Sequence, residues 1–135
     1  MKKIFLDSNI FIYFFEGNKK YKAKLEKLFH NALEKKIKLT CSVIVWSEIL
    51  HLPFKKSRED LLAKYSNLDN KPFAIDFIPV NRKIAIDAAR IRAFYSVKTP
   101  DAIHLATALS ENIDEFWTND KRLNKFKELK ITTLS

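Results

Sequence analysis

Short apolar runs closed by acids or amides recur along the chain, separated by stretches whose apolar residues return every three or four positions. Ile4-Phe5-Leu6 ends in Asp7-Ser8-Asn9 and predicts a buried strand running straight into a turn. Ile10 to Phe15 is apolar all round and stops at Glu16-Gly17-Asn18, so it reads as a helix that is either fully covered or has one face in a protein interface. Between Lys19 and Lys36, Tyr21, Leu25, Leu28, Phe29, Ala32 and Leu33 predict an amphipathic helix, with Lys20, Lys22, Lys24 and Lys27 off its core face. Ile37 to Cys41 alternates as a second strand. Ser42 is then expected to cap a helix from Val43 to about Leu52, closed by Pro53.

A helix opens at Ser57-Arg58-Glu59-Asp60 and reaches about Leu68, with acids in its first turn and Pro72 beyond it. Phe73 to Val80 reads as a strand. Asn81 caps a long helix carrying Ile84, Ala88, Ile91 and Tyr95 at helical spacing. Thr99 and Pro100 then write a helix start, Thr99 as cap and Pro100 at the first helical position, and the body through Leu109 is apolar enough to be buried on most sides. Phe116-Trp117-Thr118 is a brief strand ending in Asn119-Asp120, a short basic helix begins near Lys121, and Ile131 to Leu134 closes as an edge strand. Strands alternating with helices, without repeat or linker, predict one α/β domain over residues 1–135, with a mostly parallel sheet flanked by helices.

Composition narrows the chemistry. The 25 basic against 16 acidic residues give a net charge of +9, which suits a polyanionic partner, nucleic acid before an anionic membrane surface. Cys41 is the one cysteine, so no disulfide framework or Cys/His zinc spacing exists, and a reducing cytoplasm is expected. No secretory or membrane-spanning apolar run is present. A single glycine excludes Gly-rich phosphate loops.

Four acids stand out. Asp7 and Asp120 each end a strand, and the carboxyl ends of parallel strands share one edge. Asp101 lies in the first turn of its helix, where dipole complementation alone could explain it. Glu48 is the one acid in the apolar run Val43 to Leu50 and needs solvent, a charged partner or a metal. Carboxylates brought together repel unless a cation sits among them, and an oxygen-only donor set favours Mg²⁺ or Mn²⁺.

Phe5-Leu6-Asp7-Ser8-Asn9, Ser47-Glu48, Pro100-Asp101-Ala102-Ile103-His104-Leu105-Ala106-Thr107-Ala108 and Thr118-Asn119-Asp120, in this order, resemble the PIN-domain ribonucleases. In length and layout the chain resembles the toxins of VapBC-type toxin–antitoxin pairs. The resemblance implies that Asp7, Glu48, Asp101 and Asp120 hold one or two divalent ions, Glu48 as ligand or water positioner, while Asn9 and Thr118 orient the site. It implies cleavage of single-stranded or looped RNA, and in-line attack by water would leave a 5′-phosphate and a 3′-hydroxyl. It also implies a homodimer silenced by a protein antitoxin, with the aromatic run Phe11 to Phe15 and the Tyr21 helix as candidate contact surfaces. His104, three positions after Asp101, is read as packing or hydrogen bonding, and its replacement is expected to leave most activity.

The rivals are a PIN nuclease of RNA processing and a non-catalytic RNA-binding or scaffold protein with the same fold. Asn9 stands where a haloacid-dehalogenase phosphatase would need a second Asp, and helix-borne Glu48 and Asp101 do not fit a receiver domain.

Overall fold

The computed structural model describes residues 1–70 and 72–135. Five strands form one all-parallel sheet in the order β3-β2-β1-β4-β5, with β1 at Lys2–Leu6, β2 at Ile37–Ser42, β3 at Asp76–Ile78, β4 at Glu115–Thr118 and β5 at Ile131–Thr133. Among the described residues the helices are α1 (Ser8–Phe15), α2 (Lys22–Leu33), α3 (Val45–Lys55), α4 (Glu59–Ser66), α5 (Arg82–Tyr95) and α6 (Thr99–Ser110), and a 3₁₀ turn covers Lys121–Lys125. The expected α/β architecture is present, and the sheet is wholly rather than mostly parallel.

Successive residues of β1 serve opposite faces. Ile4 and Leu6 join a core with residues of α1, α2, α3 and α4, whereas Phe5 stacks on Phe116 of β4 at 5.2 Å and joins residues of α5 and α6. A strand buried on both faces must be apolar throughout, which is why Ile4-Phe5-Leu6 shows no alternation. β1 leads to β2 on one side and pairs with β4 on the other, so the chain diverges at the carboxyl end of β1. Clefts open at such points.

Several boundaries shift from those the sequence predicts. Asn18 Oδ1 accepts from Tyr21 N–H, holding the chain in a turn so that α2 starts only at Lys22. Its far end stops at Leu33, which is 40% exposed, and Lys35 turns left-handed (φ 58°). Ser42 belongs to β2 and not to a helix cap: its Oγ accepts from Ile44 N–H at 3.3 Å, and α3 begins three residues later. Pro53 lies inside α3, where its missing N–H forfeits one helical hydrogen bond, and Lys56 N–H to Leu52 O closes the last turn at 2.9 Å. The helix predicted over 57–68 is confined to Glu59–Ser66. β3 keeps only three residues of the expected 73–80, because Ala74 takes a left-handed φ of 53° and Pro79 has no N–H to donate. Lys98, not Thr99, is the cap position of α6: its backbone is extended and its carbonyl accepts from Ala102 N–H at 2.9 Å. Asn81 does cap α5, accepting from Ile84 N–H at 2.8 Å. In α1, Ile10 and Phe11 are fully buried, and Phe14 stacks on Phe29 at 4.0 Å, so much of the aromatic run is core.

At the amino edge of the sheet, buried Glu115 opens β4, paired with Lys2 of β1 and accepting from Thr132 Oγ1 of β5 at 2.7 Å. Burial works against its charge, but the bonds from Lys2 and Thr132 prevail and hold the carboxyl below its ordinary 4.5. A depressed carboxylate stabilises the fold above the unfolded pKa, and that stability is lost as pH falls through the folded value. Glu115→Gln is therefore expected to lower stability by about 1–2 kcal/mol at pH 7, and the gap to the parent should close below pH 4.5, read by urea denaturation across pH.

Candidate functional site

Asp7 stands at the carboxyl end of β1 and caps α1, its Oδ1 accepting from Ser8 N–H at 2.8 Å. Its backbone N–H donates to Trp117 O at 3.0 Å, which ties it to β4. Thr118, the last residue of β4, donates its hydroxyl to Asp7 Oδ2 at 2.7 Å and accepts from Asp120 N–H at 3.0 Å. One hydroxyl therefore sets both strand-end acids. Asn9 Oδ1 accepts from Asn119 N–H at 3.1 Å, and its amide nitrogen stands 3.3 Å from Thr118 Oγ1 and 3.4 Å from Asp7 Oδ2, long enough to be weak. Asn9 thus locks the start of α1 to the end of β4.

Asp101, in the first turn of α6, is half-buried. Burial raises its carboxyl above the ordinary value, the charges of Asp7, Asp120 and Glu48 push the same way, and His104 opposes them. The other three acids read from the sequence therefore all act on Asp101 in the fold. Glu48, in the first turn of α3, reaches His104: its Oε1 accepts from Nε2 at 2.5 Å. His104 is fully buried, and Nε2 also lies 3.8 Å from Asp7 Oδ1. Burial disfavours the imidazolium, yet the bond from Glu48 and the charges of Asp7, Glu48 and Asp101 outweigh that and raise its pKa. Asp120 is set apart by a bidentate pair with Arg122, Nε at 2.9 Å from Oδ1 and Nη2 at 2.7 Å from Oδ2. That pair holds the Asp120 carboxyl below its ordinary value.

The strand ends predict only Asp7 and Asp120 at one edge, and three partners in the fold go beyond that prediction. Arg122 was detectable as a base two residues after Asp120. The His104–Glu48 bond and the bond from Asn119 Nδ2 to Tyr13 OH at 3.0 Å depend on how helices meet, which spacing does not encode.

The PIN domain family model matches residues 4–129. The chain belongs to the PIN domain family. No curated protein matches it by sequence. Among solved structures, this PIN domain is similar to VapBC2 from Rickettsia felis bound to a promoter DNA fragment, at 18% identity and TM-score 0.78 over 97% of this chain and 98% of that one. It is also similar to DNA-bound VapBC from Salmonella typhimurium, at 19% identity and TM-score 0.76 over 100% of each chain. A toxin–antitoxin complex from Klebsiella pneumoniae matches at 24% identity and TM-score 0.67 over 98% of each. At these identities the likeness establishes a shared fold. PIN domains of this kind are generally nucleases and generally use a divalent metal.

Among the described residues, no three Asp, Glu, His or Cys side chains are gathered closely enough to hold an ion between them. Magnesium, however, is ordinarily held by one or two carboxylates with water filling its octahedron. Asp101 and Asp7 are carboxylate donors of that kind, with the His104 imidazole lying beside Asp7. No helix among the described residues is long and apolar enough to cross a membrane.

Proposed function

We propose that this PIN domain is a metal-dependent endoribonuclease and the toxin of a toxin–antitoxin pair. The observation that carries the nuclease reading is Asp101: a half-buried carboxylate whose charge is disfavoured by burial and by three further acids that a divalent cation would neutralise. Asp7 and Asp101 would hold Mg²⁺ or Mn²⁺, with Glu48 and Asp120 completing the acidic wall and Asn9 and Thr118 orienting Asp7. When bound, such an ion lowers the pKa of water and neutralises charge on the phosphoryl oxygens.

The remaining work falls to the protein. Thr118 fixes the Asp7 carboxylate by its hydrogen bond, leaving Oδ1 on the side of His104. His104 holds Glu48 at the same mouth through the bond at Nε2. Water attacking in line would leave a 5′-phosphate and a 3′-hydroxyl. The likeness to toxin–antitoxin complexes supports a protein antitoxin as partner and a cytoplasmic site of action, and α1 and α2 are the surfaces we assign to the antitoxin and to a second copy.

Incubation of the protein with single-stranded RNA should give cleavage in Mn²⁺ or Mg²⁺ and none in EDTA, followed by gel electrophoresis of end-labelled products. Undiminished cutting in EDTA would remove the metal from the reaction, and no cutting under any condition would favour the scaffold reading.

A further inference from the structure

Beside the acids lies a cleft of about 100 Å³ whose walls include Lys98, Arg122 and Lys125 together with Asp101 and Asp120. Four carboxylates at a strand edge repel a polyanion, so attraction must come from cations close to them. These three bases stand there for separate structural reasons. Lys98 occupies the cap position of α6, is exposed, and its charge helps to hold Asp120 ionised. Arg122 is fixed by Asp120 through Nε and Nη2, which leaves the Nη1 edge of the fork for a second acceptor. Lys125 is exposed on the 3₁₀ turn, its Nζ 3.3 Å from Ser96 O.

We propose that this cleft seats a phosphate of the substrate strand adjacent to the one being cut, clamped by Lys98, Arg122 and Lys125. The inference rests on the nucleic-acid hydrolysis proposed above and deepens it, because the substrate must then carry consecutive phosphates across the site. A larger cavity of about 610 Å³ between α5 and α6, lined by Ile86 and Leu109 among others, adjoins none of the four acids.

The test is the salt dependence of RNA binding by the full chain in EDTA, measured by fluorescence anisotropy of a labelled single-stranded RNA decamer. Each phosphate contact contributes about 0.7 to the slope of log K against log salt for a single strand. Lys98→Ala and Lys125→Ala should each reduce the slope by roughly that amount. Lys36→Ala should not, since Lys36 precedes β2 at the opposite edge of the sheet. Arg122 is left intact because replacing it would also release Asp120. If the parent cleaves RNA in the metal assay yet both variants keep its slope, the cleft is not a phosphate seat, the nuclease reading stands, and an acidic segment of a protein partner becomes the better occupant. If the parent neither cleaves nor binds RNA, the nucleic-acid reading falls and this inference falls with it.

Discussion

Asp101→Asn is expected to reduce RNA cleavage by roughly 10²–10³-fold or more, and at the same time to make the metal-free protein more stable. The two effects have one cause. The substitution keeps the shape of the side chain but removes a charge that burial and the carboxylates Asp7, Asp120 and Glu48 all disfavour. A carboxyl raised in the folded state costs stability at pH values above its folded pKa, and the cost disappears as pH falls towards the unfolded value. At neutral pH in EDTA the asparagine variant should therefore melt above the parent, and the difference should shrink in acid. Adding Mn²⁺ should reverse the order, because only the parent then gains stability from the ion. Activity lost with no change in metal-free melting would mean that the acids do not repel one another there. Activity retained would remove Asp101 from the reaction and return it to dipole complementation.

How much of this was legible depends on whether a position is set by its own segment or by the meeting of two. Asp7 and Asp120 were legible because an apolar run fixes a strand and the strand's end fixes the acid, and parallel pairing then puts both on one edge. The Asn81 cap was legible for the same local reason. The cap of α6 falls at Lys98 rather than at the predicted Thr99 because Lys98 is the residue with extended backbone, although its side chain offers no cap and the hydroxyl of Thr99 predicts one. β3 is shorter than the apolar run predicts because a left-handed alanine at position 74 has no sequence signature. The contact between Glu48 and His104 could not be read at all, since it joins α3 to α6 across 56 residues of chain.

That contact changes what His104 should do. Read from the sequence, its loss would leave most activity, because aspartates suffice as ligands. In the fold its Nε2 donates to Glu48 at 2.5 Å and lies 3.8 Å from Asp7 Oδ1, while its ring meets Phe5 edge-on at 6.2 Å between centroids. Groups that orient metal-ligating carboxylates typically cost 10–100-fold in metal affinity or activity when removed, and His104→Ala is expected to fall in roughly that range. Glu48, whose side chain is 31% exposed, would then be free to swing to solvent. A structural loss alone would lower the folded fraction without altering how the remaining enzyme responds to metal. A positioning role predicts instead that half-maximal activity requires more Mn²⁺, and that His104→Gln, which can still donate to Glu48, recovers part of the loss. Should His104→Ala keep both its rate and its Mn²⁺ requirement, the imidazole is packing after all, and Glu48 is held by something other than the bond it makes.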